Sequence, residues 1–266
     1  MKKYKTVLTI AGSDSSGGAG IQADIKAISA CGCYASSVIT ALTAQNTVGV
    51  RMIELPSVEM FVAQLEATLD DIEFDAVKIG MLPSEEFAVA LRNIIEKYSL
   101  KNIVLDPVMV ATSRDKLVDD TAAQSIIREI MPYAELVTPN IPEAEYISGV
   151  EIQSLDDFNL AAEKILSLGA KSVLIKGGHS EQNNSITDRL FCGKNHVEEF
   201  VYPFVDSKNT HGTGCSLSSS IASYLAHGED IIGAVSKADD YLHKALEAAK
   251  DYSLGKGHGP VNHFLL

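Results

Sequence analysis

Short apolar runs alternate along the chain with longer stretches in which apolar residues recur every three or four positions. The short runs predict strands over 7–11, 36–40, 76–79, 103–105, 136–138 and 173–176. Between them Val58, Phe61, Leu65 and Leu69 keep a 3-4-4 spacing. Phe87, Leu91 and Ile94, then Phe158, Ala161, Ile165 and Leu168, follow with small variation, so amphipathic helices are predicted there. Ser154, with Asp157 three residues on, reads as an N-cap, and Gly169 stands where a C-terminal cap belongs. This alternation predicts an α/β fold, a central and mostly parallel sheet with helices on both faces.

The last third differs. Two strand-like runs within 185–202 flank the turn cluster at 192–195, which predicts a hairpin. A helix to about His227 follows, then one with Ile231, Val235, Ala238, Leu242, Ala245 and Ala249 spaced 4-3-4-3-4. No composition shift, linker or repeat marks a boundary, so 1–266 reads as a single domain.

Composition narrows the classes. Hydrophobic residues make up 46% of 266 residues, enough for a sizeable core, and disorder is excluded as the main state. The net charge of −13, with no basic cluster, argues against a nucleic-acid partner. The apolar run at 7–11 is too short for a signal sequence, and nothing approaches the roughly 18 apolar residues of a membrane span. Four cysteines without a C-x-x-C pair suit a reducing cytoplasm. Cys31, Cys33 and Cys192 read as small buried hydrophobes.

In open α/β sheets ligands bind beyond the carboxyl ends of the strands, so the residues there are the candidates. The first strand runs into Gly12-Ser-Asp-Ser-Ser-Gly-Gly-Ala-Gly20, then a helix with Asp24. Such a turn is either a cradle for a phosphate or small ligand, or a plain loop. The spacings G-x-G-x-x-G and G-x-x-x-x-G-K-[ST] are both absent, which disfavours a dinucleotide oxidoreductase and a P-loop protein. The second candidate is Asn209-Thr-His-Gly-Thr-Gly-Cys215 at a helix start. Gly212 and Gly214 leave amides open, and the helix N-terminus makes an anion hole. That position is expected to favour the Cys215 thiolate, as general base or nucleophile; the bland alternative is a small core residue. Asp106 and Glu143 follow two further strands and suit water-mediated Mg²⁺, and Lys176 after a third suits phosphate; each alone reads equally as a solvated strand end or cap.

Taken in order, Ile10-Ala-Gly-Ser-Asp-Ser-Ser-Gly-Gly-Ala-Gly-Ile-Gln-Ala-Asp24, Val38 to Asn46, Lys78-Ile-Gly-Met81, Val104-Leu-Asp-Pro-Val-Met109, Thr138-Pro-Asn140, Lys176-Gly-Gly-His179, Asn209 to Cys215 and Gly255 to Val261 resemble the hydroxymethylpyrimidine/phosphomethylpyrimidine kinases. These are the thiamine-pathway members of the ribokinase-like superfamily, and the resemblance runs over 5–264. It implies a ribokinase-like fold, ATP and Mg²⁺ as cofactors, a homodimer, and two successive phosphorylations of an aminopyrimidine. By position it implies that Gln45 binds the pyrimidine edge, with Asp24 and the backbone at Gly12, while Met81 and Val108 pack on the ring. Asn140, Lys176, Thr210 and Lys237 would serve ATP, Asp106 and Glu143 the metal, and Gly212, Gly214, Lys176 and Cys215 catalysis, with Cys215 as the base.

Two departures stand out: Ser15 where the family commonly has Pro, and Ala-Thr-Ser-Arg-Asp at 111–115 for Ala-Lys-Ser-Gly-Asp. Lids are expected at 113–116 or 180–186. The runner-up is a pyridoxine/pyridoxal kinase, against which Gln45 and Met81 weigh; a non-catalytic pyrimidine-binding module is the remote alternative.

Overall fold

The computed structural model describes residues 2–109, 119–177, 179–180, 184–193 and 196–264. The departure at 111–115, the lid expected at 113–116 and residues 181–183 of the other lid lie outside them.

Among the described residues ten strands form one sheet: β1 (Thr6–Asp14), β2 (Tyr34–Asn46), β3 (Gly49–Glu54), β4 (Ala76–Ile79), β5 (Ile103–Leu105), β6 (Leu136–Val137), β7 (Ser172–Ile175), β8 (His179–Ser180), β9 (Ser185–Cys192) and β10 (Val197–Pro203). The order is β10-β9-β7-β6-β5-β4-β1-β2-β3, with β8 on β9. From β2 across to β7 all pairs are parallel, while β3, β8, β9 and β10 join antiparallel. The expected hairpin is β9–β10.

The helices are α1 (Gly20–Ala30), α2 (Val58–Leu69), α3 (Glu85–Tyr98), α4 (Asp120–Glu129), α5 (Ile141–Ser148), α6 (Leu155–Ser167), α7 (Thr213–Ala226) and α8 (Ile231–Ala249). Their apolar stripes fall on two sides of the sheet, because successive strand residues point to opposite faces. Leu8 and Ile10 of β1 and Val77 and Ile79 of β4 pack with Phe61, Leu91, Ile126 and Ile165 from α2, α3, α4 and α6. Val7 and Ala76 face the other way, toward Ile28 of α1, Ile221 of α7 and Val235 of α8. Among the described residues no helix is long and apolar enough to cross a membrane.

The caps follow their chemistry. Ser154 and Asp157 form a capping box on α6, as expected. Asn140 and Glu143 form another on α5, where the Asn140 side chain accepts from the Glu143 N–H and the Glu143 carboxylate accepts from the Asn140 N–H. The buried serines of α7 are small enough for close packing, and Ser216, Ser220 and Ser223 satisfy their hydroxyls on carbonyls four residues back.

Two strands outrun their apolar portions. β1 does not stop at Ala11 but continues to Asp14, paired with β2 through a register shift at Ala11/Gly12. Thr43 and Gln45 are thereby carried on β2 to the same edge as Gly12, Ser13 and Asp14.

Candidate active site

The strand ends open into one cavity of about 830 Å³. Gly12 and Asp14 of β1, Gln45 of β2, and Met81 and Val108 after β4 and β5 line one part. Asp106 after β5, Asn140 and Glu143 after β6, Lys176 after β7 and Gly212, Gly214 and Cys215 at the start of α7 line the rest. Eleven of the fourteen residues singled out in the sequence thus share one wall.

The other three do not. Asp24, expected against the substrate, has no exposed surface and sits beneath the cavity. The cause is strand periodicity: Thr9 of β1 and Lys78 of β4 point to the α1/α7 side, where Asp24 on α1 meets them. Asp24 accepts from Thr9 Oγ1 at 2.6 Å, Ser219 Oγ at 2.8 Å and Lys78 Nζ at 3.0 and 2.9 Å. Lys237 is half-exposed on α8 and paired with Glu229, and Thr210, whose carbonyl accepts from Thr213, lies just outside the lining.

The Gly-rich turn after β1 is not a phosphate cradle. Its amides are taken by its own Asp14, which accepts from the N–H groups of Ser16, Gly18 and Ala19 at 2.8, 3.0 and 2.8 Å. Burial works to raise the Asp14 carboxyl, but His211, the Ser16 hydroxyl and these amides hold it down to about 2. His211 Nε2 lies 2.8 Å from Asp14 Oδ2 and so ties the turn to the loop before α7. Two glycines make this approach possible: a Cβ on Gly18 would fall 2.3 Å from the His211 ring, and one on Gly212 (φ 81°) 1.9 Å from the Gly18 carbonyl. Ser15, the departure from Pro, accepts from the Gln45 N–H at 2.9 Å and donates to the Gln45 carbonyl at 2.8 Å. It anchors the backbone that carries Gln45.

At the other end Lys176 Nζ donates to Asp106 Oδ1 at 3.2 Å and faces Glu143. Burial works against the Lys176 ammonium, yet Asp106 and Glu143 outweigh it and leave its pKa raised. The Glu143 carboxyl is pushed up by burial, with Lys176 opposing and Asp106 adding to the rise. A Cβ on Gly214 would come within 3.5 Å of both Asp106 Oδ2 and Lys176 Nζ, so the bare backbone there faces the charged cluster directly. The two carboxylates fit Mg²⁺ of the phosphate-bridging kind, which takes one or two carboxylates and keeps its other positions for water and phosphate oxygens. Among the described residues no cluster of three ligating side chains offers a full protein cage.

Cys215 departs from expectation. Burial pushes its thiol up to about 11, with Lys78 and the Gly20 N–H pulling the other way and Asp24 and Asp106 adding to the rise. The helix N-terminus alone does not make it a thiolate. Lys78 lines the cavity beside it, with its pKa raised because Asp24, Cys215 and Asp106 outweigh the effect of burial. Sequence reading assigned no role to Lys78, His211 or Asp14. The available signals were a lone charge inside the apolar run Ala-Val-Lys-Ile and a histidine within a Gly-rich helix entry.

Comparison with known proteins agrees with this architecture. The family model described as Phosphomethylpyrimidine kinase matches residues 14–262. The Rhizobium meliloti protein named hydroxymethylpyrimidine/phosphomethylpyrimidine kinase is 47% identical over 259 residues, covering 97% of this chain and 96% of that one. The thiamine biosynthesis bifunctional protein ThiED of Geobacter sulfurreducens is 47% identical over 260 residues, but the chain spans only 52% of its length. Among solved structures, phosphomethylpyrimidine kinase from Clostridium difficile 630 is 44% identical with a TM-score of 0.80, covering 91% of this chain and 99% of that one. Pyridoxal kinase from Staphylococcus aureus, in complex with pyridoxal, is 31% identical with a TM-score of 0.89, covering 98% and 94%. The fold is therefore ribokinase-like, and the chain belongs to the phosphomethylpyrimidine kinase family.

Proposed function

We propose that the protein transfers the terminal phosphoryl group of ATP to the hydroxymethyl group of 4-amino-5-hydroxymethyl-2-methylpyrimidine, and then to the monophosphate so formed, giving the diphosphate for thiamine biosynthesis. One observation carries the reading. A single cavity holds an amide side chain suited to a heteroaromatic edge, Gln45, and an anion-binding end made of Lys176 and the first turn of α7. The names of the relatives agree with it, and the chain spans about half the length of the bifunctional relative.

Phosphoryl transfer mainly requires alignment and charge neutralisation. In the first turn of α7 the Thr213 N–H turns back to the Thr210 carbonyl and the Ser216 N–H to the Gly212 carbonyl, so the Gly214 and Cys215 N–H groups, with the helix dipole, receive the transferring group. Lys176 offsets phosphate charge from the β7 side, and Met81 and Val108 hold the ring. Cys215 takes the hydroxyl proton in the first step, and the neighbouring Lys78 ammonium favours the thiolate this requires. In the second step the acceptor is a phosphate monoester, already anionic near neutral pH, and no base is needed. Asp106 and Glu143 would hold Mg²⁺, which when bound spreads the charge of the ATP phosphates.

Incubation with MgATP and the pyrimidine, reading ADP and product mass together, tests the proposal; mono- and then diphosphate is the expected result. Pyridoxal kinase is the second reading, favoured by the structural likeness to the Staphylococcus aureus enzyme. Pyridoxal 5′-phosphate as main product, with no pyrimidine diphosphate, would establish it instead. A homodimer is part of the proposal: Val48, Met52 and Leu55 stand exposed on and beside the edge strand β3, and light scattering checks it.

A further inference from the structure

His211 plays no part in the steps above, yet its side chain is 8% exposed and lines the cavity. Its Nε2 faces Asp14 Oδ2 at 2.8 Å. Asp14 already accepts three backbone N–H groups and is a carboxylate at neutral pH, so Nε2 carries a proton and donates it, whether the ring is neutral or charged. This nitrogen is a fixed donor.

The Gln45 amide stands between that donor and Thr43. Its Nε2 lies 3.4 Å from His211 Nε2 and its Oε1 3.1 Å from Thr43 Oγ1, and the two amide ends are near-isosteric, so their assignment follows from the hydrogen-bond partners. Thr43 has a single hydroxyl proton, and the Ser13 carbonyl at 2.9 Å, which can only accept, claims it. With the amide nitrogen toward His211, donor would meet donor, and the amide carbonyl would face a hydroxyl whose proton is engaged. Turned over, the carbonyl shares the single His211 Nε2 proton with Asp14 as its longer, second acceptor and the nitrogen donates to Thr43 Oγ1, so no donor opposes a donor. Ser15 holds the Gln45 backbone on both its N–H and carbonyl, and the contacts with His211 and Thr43 place its amide between them.

We propose that His211, oriented by Asp14, is a positioning residue that fixes the sense of the Gln45 amide and makes the cavity select a 4-aminopyrimidine over its 4-oxo counterpart. The inference rests on the reading of Gln45 as the residue that meets the pyrimidine edge. A 4-aminopyrimidine presents an amino donor beside a ring-nitrogen acceptor; the pyrimidin-4-one presents acceptor and N–H donor at the same two positions. A freely turning amide pairs with either. A locked amide pairs with one and opposes like groups to the other, and sites built on such hydrogen bonds reject the mismatched ligand by orders of magnitude.

The test compares 4-amino-5-hydroxymethyl-2-methylpyrimidine with its 4-oxo analogue in the wild-type protein, His211→Leu and His211→Gln. It reads kcat and KM of the first phosphorylation, and ligand binding by calorimetry without nucleotide. The amino/oxo preference should be about 100-fold or more in the wild type. It should fall about tenfold or more in His211→Leu, through KM and the binding constants rather than kcat, and His211→Gln, which keeps a donor facing Asp14, should restore most of it. Asp14→Asn is the second variant, for the case that His211→Leu folds poorly: the Asn amide can donate to the ring and turn Nε2 into an acceptor, so the preference should fall there too. An unchanged preference in either folded variant overturns the inference and leaves the kinase reading standing. A wild-type protein that phosphorylates neither pyrimidine overturns both.

Discussion

Lys78 Nζ lies 3.0 and 2.9 Å from the two carboxylate oxygens of Asp24, and neither side chain has any exposed surface. Removing one member leaves a buried charge without compensation, so Lys78→Met should destabilise the fold by about 3–5 kcal/mol. Replacing both, as Lys78→Met with Asp24→Leu, should recover most of that loss. The first phosphorylation should stay depressed about a hundredfold in the double variant, because the cation beside Cys215 is gone. Denaturant unfolding and initial rates check the two halves separately; a stable double variant with full activity would reduce the pair to a structural role.

Cys215 is asked to act in one of two steps only. Cys215→Ala should slow phosphorylation of the hydroxymethyl group by about 10²–10⁴-fold, and phosphorylation of the monophosphate by less than about tenfold. With the thiol pushed up to about 11, its ionised fraction grows as pH rises toward that value. In the wild type the first step should therefore quicken between pH 6 and 9 while the second stays nearly flat. Single-turnover rates on each substrate separate the cases, and equal losses in both steps count against a base.

Glu143 serves two masters, the capping box of α5 and the cavity. Gln in its place keeps the cap, since Gln at this third helical position also reaches the N-cap amide. Glu143→Gln should thus leave the melting temperature within about 2 °C and raise the Mg²⁺ concentration for half-maximal turnover about tenfold or more. Chelation of divalent cations should abolish turnover in the wild type. A magnesium titration at saturating ATP reads both.

Asp239 on α8 is 5% exposed, and its Oδ2 has no hydrogen-bond partner among the described residues. Burial, then Asp188 and Asp240, push its carboxyl up to about 8. The folded state keeps a proton that the unfolded chain releases near pH 4, so this group lowers stability as pH climbs from about 4 to about 8 and adds no further loss above that. Asp239→Asn should remove that component: relative to the wild type, its melting temperature should gain several degrees more at pH 8 than at pH 5, at about 2–4 °C per kcal/mol. Paired thermal melts at the two pH values decide it, and identical shifts would show that Asp239 does not titrate as described.

The central sheet was readable because β4 and β5 are short, wholly apolar-bounded runs buried on both faces, and the predicted 76–79 and 103–105 coincide with them. The distal parts of β1 and β2 were hidden by their function. Gly12, Ser13, Asp14, Thr43 and Gln45 line the cavity and so break the apolar run, while backbone pairing and the Thr43 hydroxyl on the Ser13 carbonyl keep the two strands together. β3 lies on the edge, mostly exposed on both faces, and shows no alternation. Asp24 carried the opposite difficulty: its place in a quoted motif marked it as important, but only the packing of α1 against β1, β4 and α7 shows that it faces the core. At Asn140 and Glu143 both readings hold, since the residues weighed as ligands are also the cap.

Buried Asp24 depends on Ser219 for one of its donors, and Asp14 depends on His211, partners 195 and 197 positions away. At a synthesis rate of 5–20 residues per second, roughly 10–40 s separate their emergence from the ribosome. Through that interval Asp24 has its Lys78 ion pair but lacks the Ser219 hydroxyl, and the glycine turn around Asp14 is unclipped. A stalled or truncated product ending before α7 would carry strands of the sheet but lack Thr213, Gly214 and Cys215 of the cavity wall.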